Sequence, residues 1–162
     1  MNATQIHLAL THVPVILSFT GLAFLIGSYF IKNPFLTKVA FFTLAAAALF
    51  ALPVYLTGES TEHAIENLPG ISEPIIEEHE EVAKIALMVI MATGLLALAA
   101  IFFTGRFAKG LQIAVLVLAI GSAGTLAQTA HLGGQIRHSE IRPDYVTTQN
   151  AVPDIPEEDH DE

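Results

Sequence analysis

The chain has 162 residues, 52% of them hydrophobic, no cysteine and a formal net charge of -9, and its mean hydropathy is +0.56. That length gives one domain, and one too apolar for an ordinary soluble fold. Without cysteine there are no disulfides, thiolate metal sites or haem attachment through C-x-x-C-H, so any metal chemistry rests on histidine and carboxylate. The bases are few and scattered, which excludes nucleic acid as a partner.

Four segments approach the roughly 20 apolar residues that cross a bilayer. The first helix is expected over residues 6–31. It lacks the basic start and small-residue cleavage site of a signal peptide, so it is expected to stay in the mature chain. Lys32-Asn33-Pro34 ends it. The second, over residues 36–66, is apolar to Leu56 and then runs outward through "GESTEHAIE". The third, over residues 72–103, opens with Ser72 at the N-cap and Glu73 and Pro74 in the first turn, as helix starts favour. It carries "EEHEE" at 77–81 before its apolar run begins at Ile85. Thr104-Gly105-Arg106 breaks the chain again, and the fourth helix is expected over residues 111–132. Alanine and leucine dominate over β-branched residues, so these are helices and not barrel strands. The fold expected is all-α: an integral membrane four-helix bundle, up-down-up-down, both termini on one side. It occupies residues 1–140 and is followed by an acidic, proline-spaced tail over 141–162 that is too polar to pack.

The loop after the first helix carries Lys32 and Lys38, and the loop after the third carries Arg106 and Lys109, with no acid in either. All 16 acids and all 7 histidines fall on the other side. The positive-inside rule then places both loops in the cytoplasm and both termini in the periplasm of a bacterial inner membrane.

A rise of about 1.5 Å per residue gives rough depths for the histidines. His12 and His131 come at the outer edge of the hydrocarbon. His63 and His79 stand roughly 9 Å above it if their helices continue outward. His7 lies about 140° round a straight helix from His12, so the two would not share a metal. Small residues lie beneath two of these rings, Ala127 and Gly124 under His131 and Ala83 and Ala86 beside His79. Such stripes leave room for a flat cofactor or let helices pack closely. Glu59 with His63, and Glu62 with Glu66, have the i, i+4 spacing that can chelate one ion, although a solvated acidic face has the same pattern.

The stretch "HLALTHVP" at 7–14, with "LTGES" after the second helix, "EEHEE" before the third and "HLGG" after the fourth, resembles a family of bacterial four-helix membrane proteins of unknown function. By that resemblance His7, His12, Pro14, Gly58, Glu59, His79, Gly133 and Gly134 are the family positions. The resemblance implies an association with cytochrome and Rieske-type modules, and hence redox work at the outer face.

Three functions are consistent with these features. The first is a membrane electron carrier or complex subunit, more than a stand-alone enzyme. It would bind haem b through His12 with His131, or His63 with His79, and exchange electrons with a quinone or a periplasmic cytochrome. Its outer acids would then dock a cationic partner. The second is a periplasm-facing zinc, copper or iron site drawn from His12, His63, His79, His131, Glu59 and Glu78. The third is a structural subunit of a membrane complex that holds no cofactor. A transporter is disfavoured, because the helices carry almost no charge at mid-depth.

Overall fold

The computed structural model describes residues 2–143, and its elements are helical throughout. Asn2 and Gln5 form a reciprocal capping box that starts α1 (Ala3–Leu10). The N–H and hydroxyl of Thr11 both return to the His7 carbonyl, and α2 (His12–Ile31) follows. Thr11 itself stays in the right-handed helical region (φ -49, ψ -39), so α1 and α2 run on as one span, Ala3–Ile31, which begins earlier than the expected 6–31 because the capping box satisfies its first donors. Lys32 closes α2 in the left-handed region, at φ 53. Asn33 then accepts the Phe35 N–H and Pro34 opens α3 (Pro34–Leu56).

Pro53, inside α3, has no N–H to give the Leu49 carbonyl. The helix ends four residues later at Thr57, and α4 (Gly58–Ile65) departs from there. The continuous helix expected over 36–66 is thus broken next to the proline that weakens it. A linker with Gly70 at φ 83 leads to α5 (Glu73–Ala100). Ser72 takes the N-cap position there, but its side chain makes no capping bond. α6 (Gly105–Arg137) extends past both ends of the expected 111–132. A short 3-10 turn at Ser139–Ile141 completes the described fold. The acidic tail and His160 lie outside the described residues.

The four long helices close a ring in which α2 packs on α3, α3 on α5, α5 on α6 and α6 on α2, while α1 leans on α3 and α4. Small residues let the backbones meet. A Cβ on Gly21 would come 2.8 Å from Leu44 Cγ, and one on Gly94 only 2.6 Å from Ala48 Cβ. One core cluster joins Leu25, Phe41, Leu44, Ala97 and Val115. A second, nearer the histidines, joins Ala47, Ala51, Ala86, Ile90 and Leu126. Between α5 and α6, the buried Ser122 hydroxyl meets that of Thr93 at 2.8 Å. Since Thr93 already donates to the Val89 carbonyl at 2.7 Å, Ser122 is the donor.

The outward faces are apolar, with Phe30, Phe35, Leu49, Met88, Leu95 and Val117 all exposed. A bilayer solvates such a surface and water does not. Four stretches are long and apolar enough to span it: Ala3–Ile31, Pro34–Leu56, Glu73–Ala100 and Gly105–Arg137.

Candidate functional site at the histidine end of the bundle

The end of α3 offers carbonyls with no helical partner, because the chain breaks at Thr57. The Val54 carbonyl is one of them. It receives the Thr57 N–H at 3.3 Å, the Thr57 hydroxyl at 3.0 Å and, across the bundle, the His7 Nδ1–H at 2.8 Å. His7 reaches it because α1 lies against α3 and α4. A carbonyl can only accept, so Nδ1 carries the proton, and in the neutral ring Nε2 keeps its lone pair.

The second half of the protein repeats this arrangement. His79, near the start of α5, donates Nδ1–H at 3.0 Å to the Thr129 carbonyl near the end of α6. Its Nε2 is likewise left with a lone pair. In both halves a glycine four residues beyond the accepting carbonyl lies against the imidazole edge. A Cβ on Gly58 would be 3.8 Å from His7 Cε1, and one on Gly133 would be 3.3 Å from His79 Cε1. The sequence separations are 47 residues in the first half and 50 in the second. By the order of the helices both rings lie at the same end of the bundle. Both are partly buried. In metal proteins a ligating imidazole is held this way, its distal N–H given to a carbonyl or carboxylate that fixes the tautomer and strengthens the free nitrogen as a donor.

Other candidate residues lie at the same end of the bundle but are placed differently. His12 begins α2 and is exposed. His131 is exposed too, and its Nε2 accepts the amide N–H of Gln135 at 3.1 Å, one turn along its own helix. His63 is 67% exposed and faces Glu66 at 3.6 Å. Glu59 and Glu78 are exposed. Among the described residues no three histidines or carboxylates gather where they could hold one metal ion. The structure therefore sets His7 and His79 apart from these candidates as the imidazoles anchored through Nδ1 to a helix carbonyl, a likeness that sequence reasoning passed over. Its traces in the sequence are the repeated order of a histidine early in each hairpin and a glycine late in it, and the family resemblance, which names His7, Gly58, His79 and Gly133 among its positions.

A family described as a predicted membrane protein (DUF2231) matches residues 3–140. The chain belongs to that family. The match covers every element from α1 through the start of the 3-10 turn, so the DUF2231 domain is the whole bundle with both halves of the histidine site. No curated protein and no solved structure matches the chain.

Proposed function

We propose that this protein is a membrane-bound electron carrier in which His7 and His79 would hold a haem b. The observation that carries this reading is the pair of anchored imidazoles, each with Nδ1–H on a helix carbonyl and Nε2 free. The number of ligands matters. A bare transition ion needs three or four protein donors, whereas haem iron takes four nitrogens from its porphyrin and needs only two from the chain. Two imidazoles on opposite halves of a bundle suit the second case.

Bound there, haem would supply one-electron chemistry. The chain's own part is to hold and tune the ligands. The Val54 and Thr129 carbonyls fix the ring orientation, and Gly58 and Gly133 keep side chains clear of the ring edges. Glutamates of α4 and α5 make the surrounding surface acidic, which favours a cationic periplasmic cytochrome as partner. A quinone in the bilayer is the other redox partner of suitable chemistry. The basic loops at the opposite end favour an inner-membrane orientation with periplasmic termini.

The test is a visible spectrum of the detergent-purified full chain, as isolated and after dithionite. A Soret band, with an α band that sharpens on reduction, is expected, and it should be lost in both His7→Ala and His79→Ala. A featureless spectrum from protein made with ample haem would sink the reading and leave the two imidazoles as interhelical struts.

A further inference from the structure

At the end of the bundle away from the histidines, the α2–α3 turn and the first turns of α6 border an open cleft of about 510 Å³. That size is within the range of small-ligand sites, about 300–1,000 Å³. Lys32 and Lys109 line it from separate helices, together with Tyr29, Asn33, Thr37 and Gln112. The polar groups are rich in donors. Asn33 uses its Oδ1 to accept the Phe35 N–H, which leaves its amide N–H₂ to donate elsewhere. Gln112 and Tyr29 add an amide and a phenol, and no carboxylate lines the cleft.

Two further features point to an anion. Asn33 and Pro34 are the N-cap and first residue of α3, a 23-residue helix whose dipole favours negative charge at this end. Lys32 holds the only positive φ among the described non-glycine residues, 53°. This is the left-handed C-cap that ends α2, and it sets one of the two cations at the cleft. The surroundings are apolar: Phe30 is 82% exposed, Phe35 71% and Phe107 72%. All three lie within a turn or so of the helix ends that form the cleft. A basic cleft between helix ends with an apolar collar matches an amphiphile that carries its negative charge at the membrane surface.

We infer that this cleft binds a phosphate group, carried by an anionic phospholipid or free in solution, with Lys32 and Lys109 as the charged contacts. It is independent of the histidine site and of any cofactor there.

The experiment measures the melting temperature of the delipidated full chain in neutral detergent with three probes. These are phosphatidylglycerol, diacylglycerol with the same acyl chains, and inorganic phosphate. Phosphatidylglycerol is expected to raise the melting temperature while diacylglycerol does not, and native mass spectrometry should show one retained phospholipid. An equal rise with inorganic phosphate would support the site and assign it to a soluble anion. No rise with either phosphate source in the wild-type chain overturns the proposal. Lys32→Gln/Lys109→Gln should bind phosphatidylglycerol about thirtyfold more weakly, the effect of two juxtamembrane bases. Lys38→Gln, which alters a nearby base that does not line the cleft, should leave binding unchanged. Equal weakening in both variants would also overturn the proposal.

Discussion

Gly133 lies so close to His79 that a β-carbon there would be a tight contact for the ring. A Cβ at position 133 would lie 3.3 Å from His79 Cε1 and 3.6 Å from its Nδ1, the atom that holds the Thr129 carbonyl. The corresponding contact in the first half, Gly58 against His7, is looser at 3.8 Å.

The two glycines should therefore respond differently to alanine. Gly133→Ala pushes on the imidazole and should cut haem retention several-fold, with a shifted Soret position. Gly58→Ala makes only an ordinary contact and should retain haem at close to the wild-type level. Pyridine haemochrome assay of both variants purified in parallel checks this. Equal retention would mean that the ring at position 79 is not held as described.

Removing either imidazole should cost little stability. The Val54 carbonyl keeps the two Thr57 donors, and Thr129 is an interior residue of α6, so neither acceptor is abandoned. A net loss of about 0.5–1.5 kcal/mol per variant is expected, that of one hydrogen bond. Thermal melts of His7→Ala and His79→Ala apoprotein, compared with wild-type apoprotein, measure it. A loss several times larger would make the histidines chiefly structural.

Arg142 ties the last turn of the bundle to the linker before α5. It donates Nε–H to the Gln135 carbonyl at 2.8 Å, and its Nη2 group donates to the Gly70 carbonyl at 2.9 Å and to that of Ile136 at 3.1 Å. Two of these carbonyls belong to the end of α6, where acceptors lack helical partners. Arg142→Ala should destabilise the protein by about 1–3 kcal/mol. Amide exchange should accelerate at residues 68–72 and 138–142 and stay unchanged in the core around Thr93 and Ser122. Uniform acceleration would count against a local clamp.

Acid should loosen the same corner. The carboxyl of Glu140 is held below its ordinary value by its own backbone N–H and then by the His138 imidazole, which lies 2.9 Å away. A depressed folded value stabilises the folded chain fully above the unfolded value. The contribution fades as pH falls through the folded value, within the acid range below about pH 4.5. Glu140→Gln should flatten that part of the stability profile, and carboxyl chemical shifts followed through an acid titration would report the depressed value directly.

Much of this architecture could be read from the residues. Hydropathy located the four helices because a span must be uniformly apolar, and loop parity alone put the histidines together at one end. Which rings are anchored at that end was harder to see. Depth arithmetic on straight helices favours His12 with His131. The break at Thr57 leaves the Val54 carbonyl open to a donor besides those of Thr57, and the His7 ring meets it. Likewise, Gly124 has open space around its missing Cβ, while the glycine that touches His79 comes from the neighbouring helix. Side-chain stripes within one helix carry no information about which neighbour faces them.

The two halves of the histidine site differ mechanically. His79 is fastened to α6, an uninterrupted rod of 33 residues whose carbonyl at Thr129 lies eight positions inside its end. His7 is fastened to a joint where α3 stops and α4 begins, itself braced by an eight-residue helix on either side. One anchor therefore sits within a continuous rod and the other at a break in the chain.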